Sequence, residues 1–148
     1  MSWSRLKSKV EDRFAASLKK RLAIHITSYH DAGWLEGRGW LQIAKRQMIL
    51  ASTQPYDVPQ PPGTHHRPSL HAVLVGYLDL SVAAALASDE PIHRALAMVD
   101  RRLGRRRFEA LALGQDEHPV VRELYELRAE AEQWRATSAP QPGGLTSA

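Results

Sequence analysis

Arginine residues crowd the segment from Pro91 to Arg107, and five of them occupy seven consecutive positions beside an apolar stripe. Placed on one helix, Ile92, Leu96, Val99 and Leu103 share a face, and Gly104 is expected to end the helix. The candidate polyanion-binding residues point away from that face, flank it or follow it: Arg94, Arg101, Arg102, Arg105, Arg106 and Arg107. A guanidinium is always charged and offers a rigid fork of donors to phosphate or carboxylate. The pattern indicates binding, unless these arginines pair with acidic neighbours on a solvated face.

A second candidate surface is the face of a predicted strand that carries His25, Thr27 and Tyr29. Arg38 and Trp40 on the neighbouring strand can face them if the register permits. Nucleobases stack on aromatic rings and arginine planes, so His25, Tyr29 and Arg38 are candidate sheet-face contacts. The alternative, which we favour, is a face covered by a helix with its polar groups satisfied locally.

Metal and catalytic signatures are weak. His65, His66 and His71 lack the spacing of zinc ligands, and Pro68 interrupts them. The chain has no cysteine, and it lacks the G-x-S-x-G, phosphate-loop and dinucleotide-binding patterns. Four acids, Asp12, Asp79, Asp100 and Glu109, have no spacing that singles out a pair for acid–base work. We therefore expect no metal, no cofactor and no catalytic residue.

All of these candidate side chains are expected to belong to one α+β domain over residues 1–136, which consists of two halves. The first half, residues 1–52, is predicted as a helix from Trp3 to Lys20, capped by Ser2 or Ser4, and a three-stranded antiparallel meander. The predicted strands run from Leu22 to Tyr29, from Trp40 to Ala44 and from Gln47 to Ser52, with Lys45–Arg46 as a tight turn. Residues 53–70 are rich in proline and form an extended connection.

The second half, residues 71–136, is predicted as a bundle of three to four helices. They cover His71 to Leu78, Ser81 to Leu86, the arginine segment capped by Asp89, and a last helix opened by Pro119. In the last helix Val120, Leu124, Leu127, Ala131 and Trp134 form a docking seam, and Arg122–Glu126 and Arg128–Glu132 pair on its exposed side. Residues 137–148 lack apolar anchors and are expected to be disordered.

The net charge of +4 on 148 residues is unevenly distributed. Residues 1–30 and 101–109 are strongly basic, whereas residues 110–148 are acidic. The fold either merges the two basic zones or lets the acidic C-terminal helix neutralise them. No apolar run approaches the length of a membrane span, and the start of the chain lacks the apolar core of a signal peptide. We expect a cytoplasmic protein with no membrane partner.

Several blocks resemble a family of small, uncharacterised bacterial proteins. They are Trp3-Ser4-Arg5-Leu6, the strand from Arg21 to Tyr29, Gly37-Arg38-Gly39-Trp40, the block from Arg94 to Arg107, and the block from His118 to Arg128. The resemblance covers most of residues 3–130. It implies a bacterial cytoplasmic origin and assigns no activity or binding residue.

Taken together, these patterns predict a non-enzymatic binding protein whose arginine segment and basic first helix engage a polyanion, most plausibly RNA or DNA. The alternative is a protein-interaction module, such as an inhibitor, immunity protein or complex subunit, that binds an acidic protein surface. A small hydrolase or transferase is the third hypothesis, since missing motifs do not exclude an enzyme.

Overall fold

The computed structural model describes residues 1–31, 34–52 and 67–134. The elements in chain order are α1 (Trp3–Glu11), a short 3-10 helix (Ala16–Leu18), β1 (Leu22–Asp31), β2 (Trp34–Ile43), β3 (Arg46–Ser52), α2 (Arg67–Leu78), α3 (Val82–Leu86), α4 (Pro91–Met98), α5 (Arg105–Glu109) and α6 (Pro119–Glu132). The predicted α+β class is confirmed: an N-terminal helix, a three-stranded antiparallel sheet and then helices.

The strands form an antiparallel sheet in the order β1-β2-β3. Leu22 lies opposite Ile43, and Ile24 lies opposite Leu41. These four side chains and Leu50 of β3 are buried in the core on the same face of the sheet, and α1 and α2 pack against the sheet. The register shifts between Gly39 and Trp40, where a bulge locally strengthens the twist.

One hydrophobic cluster contains side chains from both halves of the chain, among them Leu6 of α1, Ile24 of β1, Leu96 of α4 and Leu124 of α6. The apolar stripe of the arginine segment, Ile92, Leu96, Val99 and Leu103, is buried throughout. The sheet and the helices are therefore held together by shared apolar burial.

The predicted first helix is too long. It ends at Glu11, although Ser2 caps its start as expected, with the hydroxyl accepting a hydrogen bond from the Arg5 amide. After Asp12 the backbone bonds to a distant segment instead: the Ala15 amide donates to the Val99 carbonyl over 2.8 Å, and Phe14 forms a bridge with Asp100. These contacts end the helix because they claim backbone groups that a helix would use.

The predicted arginine helix is wrong as a single element. Residues 99–104, which we call the arginine turn, separate α4 from α5. A carboxylate oxygen of Asp100 accepts from the Arg102 amide over 2.8 Å, the geometry of an Asx turn. Gly104 is extended at the start of α5 and is not a left-handed helix end, and Glu90, not Asp89, caps α4. In the described part of the chain, five helices thus follow the sheet.

The bounds of several other elements also differ from the predicted ones. β2 begins at Trp34, and the tight turn falls at Ala44–Lys45, where Ala44 is left-handed with φ 54°. α2 begins at Arg67, before the predicted His71, with Pro68 in its first turn. Most of the proline-rich connection and all of the predicted disordered tail, residues 137–148, lie outside the described residues. Among the described helices, none combines the length and apolarity needed to cross a bilayer.

Candidate anion-binding groove

The two basic zones meet where the arginine turn packs against the segment after α1. The Arg101 amide donates to the Arg13 carbonyl over 2.6 Å, beside the bond from Ala15 to Val99. Two parts of the chain that are far apart in sequence are therefore fixed side by side through their backbones. Of the two alternatives left open by the charge distribution, the fold merges the basic zones at this point.

A cavity of about 330 Å³ lies at this junction, and we call it the basic groove. Its lining consists of Met1, Lys9, Asp12, Arg13, Val75, Leu78, Asp79 and Arg101. Three side-chain cations thus stand against two carboxylates, so the groove carries a positive balance. Two of the acids without a sequence pattern, Asp12 and Asp79, lie here, while Asp100 is buried and Glu109 pairs with Arg105.

Arg13 is held rigidly in the groove. Its guanidinium donates to the carbonyls of Tyr77 over 3.3 Å and of Leu78 over 2.7 Å, and it lies 5.6 Å from the centre of the Tyr77 ring. Carbonyls are neutral partners, and among the described residues no carboxylate forms an ion pair with Arg13. Because the side chain is already ordered, a ligand anion would bind it with little further loss of conformational entropy.

The arginines that follow the groove differ in their partners. Arg101, Arg106 and Arg107 are exposed, and in the described part of the chain no carboxylate pairs with them. Arg105 is also exposed, but its Nε donates to Glu109 over 2.9 Å. Three of the predicted polyanion-binding arginines are therefore available without breaking an internal ion pair.

Arg94 does not lie on the predicted outward surface. Its Nη2 and Nε donate to the two carboxylate oxygens of Glu117 over 2.7 and 3.2 Å, and its Nη1 donates to the Ser88 carbonyl. The hydrogen bonds from Arg94 outweigh partial burial and lower the pKa of Glu117. For this residue the alternative of pairing with an acidic neighbour is the correct one.

Asp100 organises the arginine turn from inside the core. Its fully buried carboxylate accepts from the amide, Nε and Nη2 of Arg102 and from the Tyr77 hydroxyl. Burial alone would raise the pKa of Asp100, but the hydrogen bonds from Arg102 and Tyr77 outweigh it and lower the pKa. Burial also raises the pKa of Tyr77, and the neighbouring Asp100 adds to that shift. Asp100 is therefore ionised, and Arg102 is its internal counter-ion.

Arg128 secures the same turn from the other side. Its guanidinium is buried and donates to the carbonyls of Met98, Asp100 and Leu103 over 3.1, 2.9 and 2.9 Å. It also lies 4.7 Å from the centre of the Trp134 ring, and burial lowers its pKa. The prediction that Arg128 sits on the exposed side of α6 is wrong, since it follows the buried Leu124 by four residues and shares its face.

Three acidic residues of α6 lie against other parts of the molecule. Glu123 pairs with Arg46 at the start of β3, and Glu126 and Glu130 line a cavity of about 430 Å³ together with Arg21. Arg122, predicted to pair with Glu126, donates to the Gly114 carbonyl. None of these three glutamates pairs with an arginine of the arginine turn, where Asp100 is the partner of Arg102.

The remaining candidates are polar groups with local partners. His71 contacts the Met1 carbonyl, and His93 bridges Ser88 and the Val73 carbonyl. Among the described residues no cluster of three acidic, histidine or cysteine side chains has the geometry to hold a metal ion. His65 and His66 lie outside these residues, as do the side chains of Thr27, Tyr29 and Arg38.

Ionisation of Asp100 predicts a pH-dependent contribution to stability. Because its folded pKa is lowered, the carboxylate stabilises the fold fully above the unfolded pKa of about 3.9, and this stabilisation disappears as the pH falls through the folded pKa. Asp100→Asn should therefore cost about 1.5–3 kcal/mol at neutral pH, the usual contribution of hydrogen bonds to a charged group. Urea denaturation at a series of pH values measures it. A cost that stays constant far below pH 4 would contradict the assignment.

Comparison with known proteins places the chain in a family. The family model of the SF0329 protein family matches residues 2–61 and 57–129, which together include both the basic groove and the arginine turn. Neither a curated protein nor a solved structure shows a significant match to the chain. The match agrees with the resemblance to a family of small proteins seen in the sequence blocks. The chain belongs to the SF0329 protein family.

Proposed function

We propose that this protein binds the phosphate backbone of RNA or DNA through the basic groove and the exposed arginines that follow it. The observation that carries the proposal is the junction of α1 with the arginine turn, which brings Lys9 and Arg13 next to Arg101. Arg106 and Arg107 continue the positive surface along α5. Guanidinium groups suit phosphate oxygens because they offer two parallel donors.

The internal ion pairs support this proposal because they distinguish the arginines that already have a carboxylate partner from those that do not. Arg94 and Arg102 are each neutralised by a carboxylate within the fold. The fold thus uses these two arginines in internal ion pairs, whereas Arg101, Arg106 and Arg107 stay exposed. Exposed like charges repel one another, and a polyanion that binds across them relieves that repulsion.

Salt dependence of binding tests the proposal. Each neutralised phosphate releases counterions, so log K should fall with log salt by about 0.9 per contact for duplex DNA and about 0.7 for a single strand. If Lys9, Arg13, Arg101, Arg106 and Arg107 each bind one phosphate, the slope should be about −4.5 for a duplex or −3.5 for a single strand. Fluorescence anisotropy with labelled oligonucleotides gives this slope. Absence of binding at low salt would refute the proposal.

A second candidate function is recognition of an acidic protein surface. The observation that favours it is the mixed lining of the basic groove, in which Asp12 and Asp79 flank the cations and Val75 and Leu78 add apolar surface. Protein interfaces typically combine apolar and polar groups in this way. Competition separates the two functions, because excess nucleic acid should displace a bound nucleic acid but should not compete specifically for a protein partner.

A further inference from the structure

The face of the sheet that points away from the core carries a paired set of rings. His25 and Trp40 are cross-strand neighbours, with ring centroids 5.5 Å apart and planes inclined by 30°. Both rings are partly exposed. Gln42 lies beside them and accepts a hydrogen bond from the indole Nε1 of Trp40 over 3.2 Å. This face therefore offers ring surface next to a polar amide.

Trp40 differs from Trp3 and Trp134, the other tryptophans whose side chains the structure describes. Trp3 and Trp134 pack against the hydrophobic cluster. Trp40 lies on the face of the sheet opposite to that of Leu41 and Ile43, the core residues of the same strand. Its polar atom is satisfied locally by Gln42. The large ring of Trp40 is therefore partly exposed to solvent, on the face of the sheet that points away from the hydrophobic cluster.

Cations gather at one end of this face. The Ala44 amide donates to the Arg21 carbonyl over 2.9 Å, which joins the start of β1 to the turn between β2 and β3. Exposed cations lie on both sides of this bond: Lys19, Lys20, Arg21 and Lys45. Glu126 and Glu130 lie near Arg21, whereas no carboxylate forms an ion pair with the three lysines in the described part of the chain. Exposed lysines therefore lie at the end of the sheet, three residues along the strands from the ring pair.

From this arrangement we infer that the His25–Trp40 face is a stacking platform for the bases of a single-stranded nucleic acid. Aromatic rings on a sheet, bordered by cations that attract the backbone, are the combination that binds unpaired strands. A duplex holds its bases in an internal stack, so it has no free base to place on a flat platform. The inference rests on the proposed function and narrows its ligand to the single-stranded form.

Trp40→Leu tests the inference without removing an apolar side chain from the core. Binding of a single-stranded oligouridine or oligothymidine should weaken by about 5- to 150-fold, the usual effect of losing one stacked base. Binding of a duplex of the same length should not change. Trp40→Phe keeps a ring and should restore most of the affinity. Quenching of tryptophan fluorescence by the single strand should be smaller in both variants than in the unmodified protein.

Ile26→Ala is the matched control, because Ile26 belongs to β1 and packs against the core from the other face of the sheet. It should lower stability but leave the ratio of single-strand to duplex affinity unchanged. Binding of single strand and duplex with equal affinity, or an unchanged affinity of Trp40→Leu for single strands, would overturn this inference alone. Failure of both nucleic acids to bind at low salt would overturn the proposed function and the inference together.

Discussion

Replacement of Arg101, Arg106 and Arg107 together by glutamine should weaken binding of RNA or DNA roughly 100- to 500-fold at about 0.1 M salt. The estimate follows from counterion release, in which three lost contacts remove about 0.7–0.9 logarithmic units each for a tenfold change in salt. The slope of log K against log salt should also become shallower by about two to three units. Anisotropy titrations at several salt concentrations measure both quantities. All three side chains are exposed, so the fold should tolerate the change.

Single variants on α5 provide a matched comparison for this prediction. Arg105 and Arg106 are neighbours on the same helix and are both exposed, but only Arg105 has a carboxylate partner, Glu109. Arg106→Gln should reduce the salt slope by about one unit, and Arg105→Gln should reduce it less because its charge is already balanced. Equal affinity of the triple variant and the unmodified protein would remove these arginines from the binding surface.

Arg128→Met should lower the free energy of unfolding by about 2–4 kcal/mol. Methionine keeps an unbranched side chain but leaves the carbonyls of Met98 and Leu103 without a donor, at about 1–3 kcal/mol for each buried group. The Asp100 carbonyl also loses Arg128 but keeps its hydrogen bond from the Leu103 amide. Removing a buried charge offsets part of that cost. Asp100 retains Arg102 as its counter-ion, so no lone charge is left behind. Urea denaturation with linear extrapolation measures the difference.

Arg122→Met is the control for Arg128→Met, since it makes the same change on the same helix. Arg122 donates to the single carbonyl of Gly114, so its loss should cost about 0.5–1.5 kcal/mol. Losses of equal size for the two variants would mean that the three carbonyl bonds of Arg128 contribute little to stability. A weakened affinity of Arg128→Met for nucleic acid would additionally link this side chain to the shape of the groove.

Sequence patterns predict most elements of this fold because apolar spacing is a local property. The stripe of α4 and the alternation in β1 report burial directly, and both are confirmed by Leu96 and Ile24 in the core. The break in the arginine segment has a different origin. Asp100 bonds to the amide two residues ahead and to the distant Tyr77, and only the second of these contacts depends on the tertiary fold. Because the helical spacing of apolar residues continues to Leu103, the sequence pattern gives no sign of this break.

The sequence predicts which residue types form the candidate site, but not which individual residues belong to it. Clustering of arginine in residues 101–107 is visible in the sequence, whereas tertiary packing determines which carboxylate pairs with each guanidinium. Glu117 reaches Arg94 from another loop, and Arg13 comes to Arg101 through backbone contacts that have no sequence signature. Arg128 did carry a signal, because its spacing from Leu124 places it on the buried face of α6. At this residue the helical position determines burial, and the charge does not.

The bridge between Phe14 and Asp100 has a consequence for how the protein matures. A ribosome makes α1 long before it makes the arginine turn, and α6, which brings Arg128 to that turn, is made later still. Contacts between distant segments form late because the intervening chain must first be closed. An emerging chain therefore displays Lys9 of α1 before the groove that Lys9 helps to line has formed. The anion binding that we propose for the groove should in this way be restricted to fully folded molecules, and a fragment that ends before α6 should lack it.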